Sequence, residues 1–467
     1  MENAKIGLLP LYAGLYDRTD PGAKYGYDGF IGEISSLFES RGVRVLRSPV
    51  GIYESDIKES VESFEKAEVS AIVVLFLAYH PSLESSPALS ATKLPVAILD
   101  TTASPAFGPD ADPGLILSCH GIHGVQDLCC VLQRLGKPYR VFAGHYKESD
   151  AIERCAGFAK AAAMARAFKN SRVGIIGKPF EKMGDFAIPF ELMESSAGIK
   201  TVPLDTTNAA SLAGSLTAAE TDKCEADIKS VFSTEDGLDE KYIKTAARCG
   251  ALIRKWISRE NLNAFTFNFL DFRNDLGLPT IPFAAASLLM GEGVGYAGEG
   301  DVLTAALVAA ALRVYPDSTF TEMFCPDWRG GTIFMSHMGE VNYKSSANAR
   351  IFKKSVPYVP EVNGGEVPGV SALYKKGAAA LVNLVPTAGG AYRLILAPCE
   401  IRGTDNGDNF QDYVRGWLRP PVGINEFLEE YSRLGGTHHS CLCYGADVGV
   451  LKMFGEIMGW EVNIIDA

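Results

Sequence analysis

The chain has 467 residues, of which 47% are hydrophobic and 21% are charged, and its formal net charge is −12. A chain of this length is too long for a single hydrophobic core, so we expect two or three domains. The composition is typical of a globular enzyme. The acidic balance argues against nucleic acid or an acidic membrane surface as a partner, because both are bound by basic patches.

Targeting signals and cysteine spacing both favour the cytoplasm. Residues 1–12 (MENAKIGLLPLY) have too little positive charge and too short an apolar run for a secretory signal. No run of apolar residues reaches the roughly 20 that a helix needs to cross a bilayer. The 10 cysteines lack the spacing of zinc ribbons or disulfide-rich domains. We therefore expect reduced core thiols in a cytoplasmic protein.

The first third of the chain alternates apolar strands with amphipathic helices. Strands are predicted at 6–12, 43–48, 71–79, 96–100, 114–120 and 140–146, and helices at 28–39, 56–66, 121–135 and 151–168. Nearly continuous apolar strands separated by helices are typical of a parallel sheet covered on both faces. This pattern predicts a Rossmann-like α/β domain over residues 1–170.

The same pattern restarts after a polar break. Strands are predicted at 172–177, 199–205 and 264–269, and helices at 189–196, 218–232, 239–257 and 302–314. These elements predict a second α/β domain over residues 171–318.

From Phe320 onward short β segments alternate with Gly and Pro turns. Strands are predicted at 332–341, 350–359, 378–385 and 392–397, and helices at 424–434 and 448–458. The turn 388–390 (Ala-Gly-Gly) is predicted to join the last two strands as a hairpin. Residues 319–467 are therefore expected to form a β-barrel or a β-sandwich.

Three residues with metal-binding side chains lie in the part of the chain with the fewest charges. Glu299 stands in a Gly-Glu-Gly-Asp turn, Glu322 in the segment TFTEMF, and His337 on a predicted strand. Carboxylate oxygen and imidazole nitrogen suit a divalent cation such as manganese, magnesium or cobalt. Each residue also has a structural explanation: Glu299 as a solvated turn residue beside the helix cap Asp301, Glu322 on an edge strand, and His337 in the core.

A further pair of imidazoles, His438 and His439, follows two glycines after a predicted helix. Adjacent side chains of an extended segment point to opposite faces. At most one of the pair is then expected to share a site with His337.

Several segments form one pattern along the chain: 119–124 (CHGIHG), 143–146 (AGHY), 264–272 (AFTFNFLDF), 278–301 (LPTIPFAAASLLMGEGVGYAGEGD), 336–341 (SHMGEV) and 435–440 (GGTHHS). In this order the segments resemble those of L-arabinose isomerases. The resemblance covers most of the chain and is strongest after residue 264. It implies two doubly wound parallel-sheet α/β domains followed by a C-terminal antiparallel β-barrel domain that carries metal ligands.

The resemblance also implies a metal site. Its ligands fall on Glu299, Glu322, His337 and His439, around one divalent cation, Mn²⁺ in the first place, with Mg²⁺ or Co²⁺ as alternatives. The two glutamates also match the acid/base pair of the family.

The resemblance further implies a shared active site. His120 matches a histidine that is lent to the active site of a neighbouring subunit, and Thr266 and Phe269 match substrate-binding positions. The expected partner is a small-molecule sugar, and the expected assembly is a homo-oligomer, trimer or hexamer, with the active site at the subunit interface.

Two segments depart from the family: residues 9–14 (LPLYAG) replace a Gly-Ser-Gln-His-Leu-Tyr type run, and residues 323–328 (MFCPDW) replace an acidic, aromatic run. The sugar is therefore expected to be L-arabinose or a related aldose. The predicted function is a metal-dependent aldose–ketose isomerase that transfers a proton through a cis-enediol.

Two alternatives remain for this function. The first is a non-catalytic sugar-binding or regulatory protein, which would not need two acid/base carboxylates. The second is an L-fucose-isomerase-like enzyme acting on another aldose, against which the Gly-Gly-Thr-His-His segment argues.

Overall fold

The computed structural model of the chain describes residues 4–271, 277–360, 362–404 and 407–466. The chain forms two compact units, Met1–Arg166 and Ala167–Ala467. The limits of the three domains drawn from the sequence remain predictions. Phe272, the last residue of one segment that carries the family resemblance, lies outside the described residues.

The first unit alternates strands and helices along the chain. Its strands are β1 (Lys5–Leu11), β2 (Arg44–Arg47), β3 (Ala71–Phe76), β4 (Val96–Asp100) and β5 (Tyr139–Ala143). Its helices are α1 (Gly14–Thr19), α2 (Asp28–Glu39), α3 (Glu54–Lys66), α4 (Ser82–Ala91), α5 (Ile116–Cys119), α6 (Gly121–Arg134) and α7 (Ala151–Lys169), which ends in the second unit.

The strands of this unit form one five-stranded sheet in the order β2-β1-β3-β4-β5. Every neighbouring pair is parallel, and all six residues of β3 are buried. Residues of α3, α4 and α6 pack with β1, β3 and β4 in one hydrophobic cluster. The parallel α/β arrangement predicted for the first domain is confirmed.

The strand predicted at 114–120 is wrong. The chain there forms a short 3-10 turn, Pro113–Leu115, and then α5. The Asp112 carboxylate accepts a hydrogen bond from the backbone N–H of Gly114, and Pro113 occupies the first position of the turn. A helix start signal therefore outweighs a short apolar run, which by itself suits either a strand or a helix.

One stretch of the described residues, Pro113–Arg134, is long and apolar enough to cross a membrane by length and composition. It is divided between the 3-10 turn, α5 and α6. Helix α6 places Val125, Leu128 and Leu132 in the hydrophobic cluster of the first unit. In the most apolar window of this stretch, 33% of the residues are buried inside the protein.

The second unit begins with the same alternation and continues with many short strands. Its strands are β6 (Arg172–Ile176), β7 (Lys200–Pro203), β8 (Ser233–Thr234), β9 (Ala264–Phe267), β10 (Gly295–Gly298), β11 (Thr319–Asp327), β12 (Thr332–Ser336), β13 (Arg350–Ser355), β14 (Glu366–Leu373), β15 (Gly377–Pro386), β16 (Tyr392–Arg402), β17 (Val414–Arg419), β18 (His439–Tyr444) and β19 (Glu461–Ile464). Its further helices are α8 (Phe190–Ala197), α9 (Thr206–Ser215), α10 (Ala218–Val231), α11 (Glu240–Glu260), α12 (Phe283–Gly291), α13 (Val302–Leu312), α14 (Ile424–Arg433) and α15 (Val448–Met458).

Two sheets organise this unit. A four-stranded sheet runs β10-β9-β6-β7, and all its pairs are parallel. A ten-stranded mixed sheet runs β19-β16-β15-β18-β11-β12-β17-β14-β13-β8. One hydrophobic cluster joins α10, α11, α12 and α14 to strands of the mixed sheet.

Part of the mixed sheet closes on itself through hydrogen bonds. The neighbours β16, β15, β18, β11, β12 and β17 are all antiparallel. Strand β17 then pairs with β16, also antiparallel, at Glu400↔Arg419 and the two following positions. The hairpin predicted between β15 and β16 is confirmed by their long antiparallel register.

The strand predicted at 332–341 is too long, because β12 ends at Ser336. His337 therefore belongs to the loop after the strand, and the prediction that it lies on the strand is wrong. The physical reason is local: in this loop the Glu340 carboxylate accepts hydrogen bonds from His337 Nδ1 and from the backbone N–H of Gly339. These bonds take the place of further ladder bonds.

Candidate active site

The candidate site lies where the carboxyl ends of the parallel strands meet the mixed sheet. The loops after β6 and β10 supply residues 177–189 and 299–301. Open parallel sheets bind ligands outside the carboxyl ends of their strands, because the connecting loops gather there. The other residues come from β11, from the end of β12 and from the start of β18.

Strand β11 determines which of these residues are neighbours. It is an interior strand, and Glu322 is paired with Ser336 of β12 on one side and with His439 of β18 on the other. His337 follows Ser336 directly. A single register position therefore brings two imidazoles to one glutamate, and the explanation of Glu322 as an edge-strand residue is wrong.

The turn that carries Glu299 requires the two glycines beside it. A Cβ atom on Gly298 would lie 2.5 Å from Cε1 of His337, and one on Gly300 would lie 2.6 Å from Cα of Pro179. Glu299 itself has a φ of 60°, a left-handed backbone conformation that residues other than glycine rarely adopt. Its exposed fraction is 8%, so it is not a solvated turn residue. Such strain is held where the fold requires a side chain in one place.

The side chains converge at short distances. His439 Nε2 lies 2.9 Å from Oε1 of Glu322 and 3.6 Å from Oε2 of Glu299. His337 Nε2 lies 3.6 Å from the same oxygen of Glu322. The structure thus brings together all the residues that were predicted as metal ligands.

A carboxylate fixes each of the two buried imidazoles from behind. His337 Nδ1 lies 2.7 Å from Oε1 of Glu340, and His439 Nδ1 lies 2.9 Å from Oδ2 of Asp301. An ionised carboxylate oxygen only accepts, so Nδ1 of each ring donates to its carboxylate, and Nε2 is the nitrogen that faces the glutamates. Tyr296 adds its hydroxyl, which donates to Glu340 at 2.6 Å.

Sequence reasoning did not assign these supporting carboxylates. Asp301 was predicted as the cap of the helix, and its Oδ1 does accept a hydrogen bond from the backbone N–H of Thr304 at 2.9 Å. Its other oxygen holds His439. Glu340 lies in the segment 336–341, three residues after His337, and this short spacing is the one signal that would have found it.

Several atoms of the site have no hydrogen-bond partner although they are buried. They are Oε2 of Glu299 and the Nε2 atoms of His337 and His439; the last of these lies 2.9 Å from Oε1 of Glu322, but not in hydrogen-bond geometry. Buried polar atoms in folded proteins are otherwise nearly always paired. Nitrogen and oxygen atoms that converge in this way match the ligand preference of a divalent cation, so these residues fit a metal ion.

The local charges also favour a cation. Burial alone would lower the pKa of His337, but the nearby carboxylates of Glu340 and Glu322 raise it to about 9. Burial would also lower the pKa of His439, but the nearby carboxylates of Asp301 and Glu322 together raise it. Burial would raise the pKa of Glu322, and the charge of His337 lowers it. The site therefore attracts positive charge, which protons or a metal ion can supply.

His438 also lies in this site, which the sequence did not predict. Glu299, Glu322, His438 and His439 offer ligand atoms that all lie within 4.8 Å of one another. The rings of His438 and His439 are 4.2 Å apart. The expectation that they point to opposite faces is wrong, because β18 begins at His439 and His438 precedes the strand.

The predicted substrate-binding residues of the second unit lie beside the Glu299 turn. The Thr266 hydroxyl donates to the carbonyl oxygen of Ala297 at 2.7 Å and accepts from the backbone N–H of Gly300 at 3.1 Å. It therefore supports the turn. Phe269 packs its ring 5.7 Å from Phe180 and 5.5 Å from Tyr358. Sugar contacts by Thr266 and Phe269 remain predictions.

His120 belongs to the first unit, at the junction of α5 and α6. Its Nε2 lies 2.5 Å from Nδ1 of His123, and its side chain is partly exposed.

The chain was compared with known protein families and with curated proteins. Residues 214–315 match the L-arabinose isomerase central domain, and residues 317–461 match the L-arabinose isomerase C-terminal domain. Together these matches cover more than half of the chain.

Individual relatives agree with the family models. An L-arabinose isomerase of Anoxybacillus flavithermus is 25% identical over 370 residues, which cover 74% of this chain and 69% of the relative. An L-arabinose isomerase of Erwinia tasmaniensis is 24% identical over 360 residues, which cover 74% of this chain and 70% of the relative. An L-arabinose isomerase of a Nocardioides species is 24% identical over 441 residues, which cover 91% of this chain and 86% of the relative.

The backbone strain at Glu299 predicts how two substitutions at this position differ in stability. Both Glu299→Gly and Glu299→Ala remove the carboxylate, but at a φ of 60° alanine costs roughly 1–2 kcal/mol of strain that glycine avoids. The greater freedom of unfolded glycine offsets about half of this. We expect the glycine variant to be the more stable in thermal unfolding of metal-free protein.

The matched control is Glu292, whose φ of −89° is ordinary. There the order should reverse, with Glu292→Ala more stable than Glu292→Gly. If the alanine variant were the more stable one at both positions, the inferred backbone strain at Glu299 would be contradicted.

Proposed function

This chain belongs to the L-arabinose isomerase family as a divergent member and is an aldose–ketose isomerase, and we propose that it is metal-dependent and acts on L-arabinose or a related sugar. The observation that carries the proposal is the convergence of two glutamates with two imidazoles whose facing nitrogen atoms have no hydrogen-bond partner.

We assign one cation to this cluster. Glu299, Glu322, His337 and His439 would hold it, with Mn²⁺ as the first candidate and Mg²⁺ or Co²⁺ as alternatives. When bound, the cation supplies a Lewis acid that stabilises negative charge on the sugar oxygens during the reaction. The supporting carboxylates keep both imidazoles in the tautomer that ligation needs.

The glutamates move the protons in this proposal. Isomerisation removes a proton from C2 of the aldose and delivers one to C1, and the intermediate is a cis-enediol. Glu299 and Glu322 are the acid/base groups for these steps, each contributing typically ~10²–10⁴-fold. The side chains of Glu299 and Glu322 are only 10% and 12% exposed, which strengthens their electrostatic interactions with the reacting atoms.

The sugar itself is proposed only by class. Residues 323–328, which depart from the family, continue β11 directly beyond Glu322 and end in the exposed Trp328. A screen of aldopentoses and aldohexoses with added Mn²⁺ identifies the substrate. Absence of turnover with every aldose would favour the non-catalytic sugar-binding protein, and turnover restricted to fucose-type aldoses would favour the second alternative.

The rest of the predicted organisation is part of this proposal. The closed circuit of antiparallel strand pairs supports the C-terminal β-barrel. We also retain the domain limits 1–170, 171–318 and 319–467 and a cytoplasmic location.

A proton-transfer mechanism predicts the isotope content of the product. Turnover of the wild-type enzyme in D₂O should place deuterium at C1 of the ketose, as read by NMR. Glu322→Gln should lose at least about 10²-fold in turnover, because an amide cannot accept the proton. Its amide oxygen can still bind a cation, so it should retain metal better than His337→Ala.

Two outcomes would contradict this mechanism. Complete absence of deuterium over many turnovers would point to a hydride shift or to a fully shielded transfer, and would count against the acid/base role of Glu299 and Glu322. Near-normal turnover by metal-loaded Glu322→Gln would remove it for that residue.

We also propose that the active enzyme is a homo-oligomer, a trimer or hexamer, in which His120 serves the site of a neighbouring subunit. The surface beside His120 supports an interface, because Leu115, Ile116, Leu117 and Ile122 are 37%, 50%, 48% and 46% exposed. Contiguous exposed apolar residues are commonly covered by another chain.

Subunit mixing tests the shared site. His120→Ala and Glu299→Gln are each expected to be inactive alone. After exchange, mixed oligomers should regain activity, because some sites then combine an intact His120 with an intact Glu299. Each variant mixed with itself is the control. No recovery in oligomers proven to be mixed by mass spectrometry would argue against the shared site.

A further inference from the structure

A buried amide, that of Asn383, lies at a position of β15 that suits an apolar residue. Asn383 is 1% exposed. Side chains two positions apart share one face of a strand. On this face its neighbours Leu381 and Val385 belong to the hydrophobic cluster of the second unit, as does Ile395, which is paired with it on β16. An amide among apolar side chains costs free energy unless it is hydrogen-bonded, so its presence here calls for an explanation.

The amide is bonded to one short segment, residues 437–439. Its Nδ2 donates to Oγ1 of Thr437 and to the carbonyl oxygen of His439, both at 2.6 Å. Its Oδ1 accepts a hydrogen bond from the backbone N–H of Thr437 at 3.2 Å. The nitrogen and the oxygen of the amide are thus both engaged, and this gives the side chain one orientation.

Asn383 acts where the ladders of β18 come to their end. Strands β15 and β18 pair from Ala379↔Tyr444 to Val382↔Cys441, and Asn383 is the next residue of β15. On the other side of β18, the ladder with β11 ends at His439. Ends of secondary-structure elements open more easily than their centres. The side chain of Asn383 therefore prolongs the contact between the two strands beyond their last backbone pair.

The residue held at this end is one of the predicted cation ligands. His439 Nδ1 lies 2.9 Å from Oδ2 of Asp301, and its Nε2 lies 2.9 Å from Oε1 of Glu322. Asp301 fixes the ring, whereas Asn383 fixes the main chain of the same residue. Metal binding tolerates only small displacements of ligand atoms, because the distances to the ion are narrowly defined. A shift of the carbonyl group of His439 would move the ring with it.

We propose that Asn383 is a positioning residue of the cation site, whose amide holds the main chain of His439 so that Nε2 stays directed at the glutamates. This role rests on the proposed metal-dependent function. The competing role is structural only, in which the amide satisfies the polar groups of the segment before β18 and supports folding. Both roles predict lower stability without the amide. Only positioning predicts a loss of cation affinity that does not follow stability.

Two substitutions separate cation affinity from stability. Asn383→Asp keeps the shape of the side chain but loses both donors and places a charge among apolar side chains, so it should unfold at a clearly lower temperature. Asn383→Leu also loses both donors but suits the hydrophobic cluster, so it should be the more stable of the two. We would titrate each folded, metal-free protein with Mn²⁺ by calorimetry, below all unfolding temperatures. Both variants should bind Mn²⁺ about tenfold more weakly than the wild type, as when a residue that orients a metal ligand is removed.

Asn342→Asp is the matched control. Asn342 is also fully buried, and its Nδ2 donates to the carbonyl oxygens of Pro316 and Ser318 at 2.9 and 2.7 Å. Its substitution therefore removes the same two donors from a buried amide, and it should lower the unfolding temperature as well. Its Mn²⁺ affinity should stay within about twofold of the wild type, because neither acceptor belongs to the predicted ligand set.

The structural role alone would be supported, and the positioning role overturned, by wild-type Mn²⁺ affinity in Asn383→Leu. An equal loss of affinity in Asn342→Asp would overturn it too, because the loss would then follow stability. If only one of the two Asn383 variants folds, its affinity relative to that of Asn342→Asp decides. Absence of Mn²⁺ binding by the wild type would instead contradict the proposed metal dependence, and the positioning role would fall with it.

Discussion

The cost of burying charge is the constraint on which the second unit depends. Removing an ion from water costs several kcal/mol unless it is paired and hydrogen-bonded. The carboxylates of Glu340 and Asp301 are paired with the outer nitrogen atoms of two imidazoles. The inner nitrogen atoms and one oxygen of Glu299 are buried without partners. A divalent cation would satisfy them together, and this is the physical basis on which we propose a metal-dependent isomerase.

The fold brings these groups together through one strand register and one strained turn. Glu322 lies between β12 and β18, so its neighbours in the ladder deliver His337 and His439. The turn after β10 delivers Glu299 at a left-handed φ, with Thr266 bonding to the backbone on both sides of it. Because β6, β9 and β10 are parallel, their loops meet at this same edge. Strand pairing, together with side-chain hydrogen bonds of Thr266 and Glu340, thus positions the predicted ligands.

Much of this architecture could be predicted from sequence, because hydrophobic periodicity reports burial. The helices 28–39 and 448–458 coincide with α2 and α15, and the parallel α/β character of both sheets followed from apolar strands. The predictions failed where local signals compete, as at 114–120, where Asp112 and Pro113 start a helical turn. The end of β12 depends on the hydrogen bond between His337 and Glu340. The orientation of the His438 ring depends on its hydrogen bond to Asp185. Asp185 is 253 residues from its partner, so no local pattern reveals that contact.

The most direct test of the central claim is crystallographic. Crystals of the enzyme grown with Mn²⁺ would be measured at a wavelength where manganese scatters anomalously. The account predicts one strong anomalous peak per chain, in contact with Glu299, Glu322, His337 and His439. No peak at this position, or a peak bound by His438 in place of His337, would contradict it.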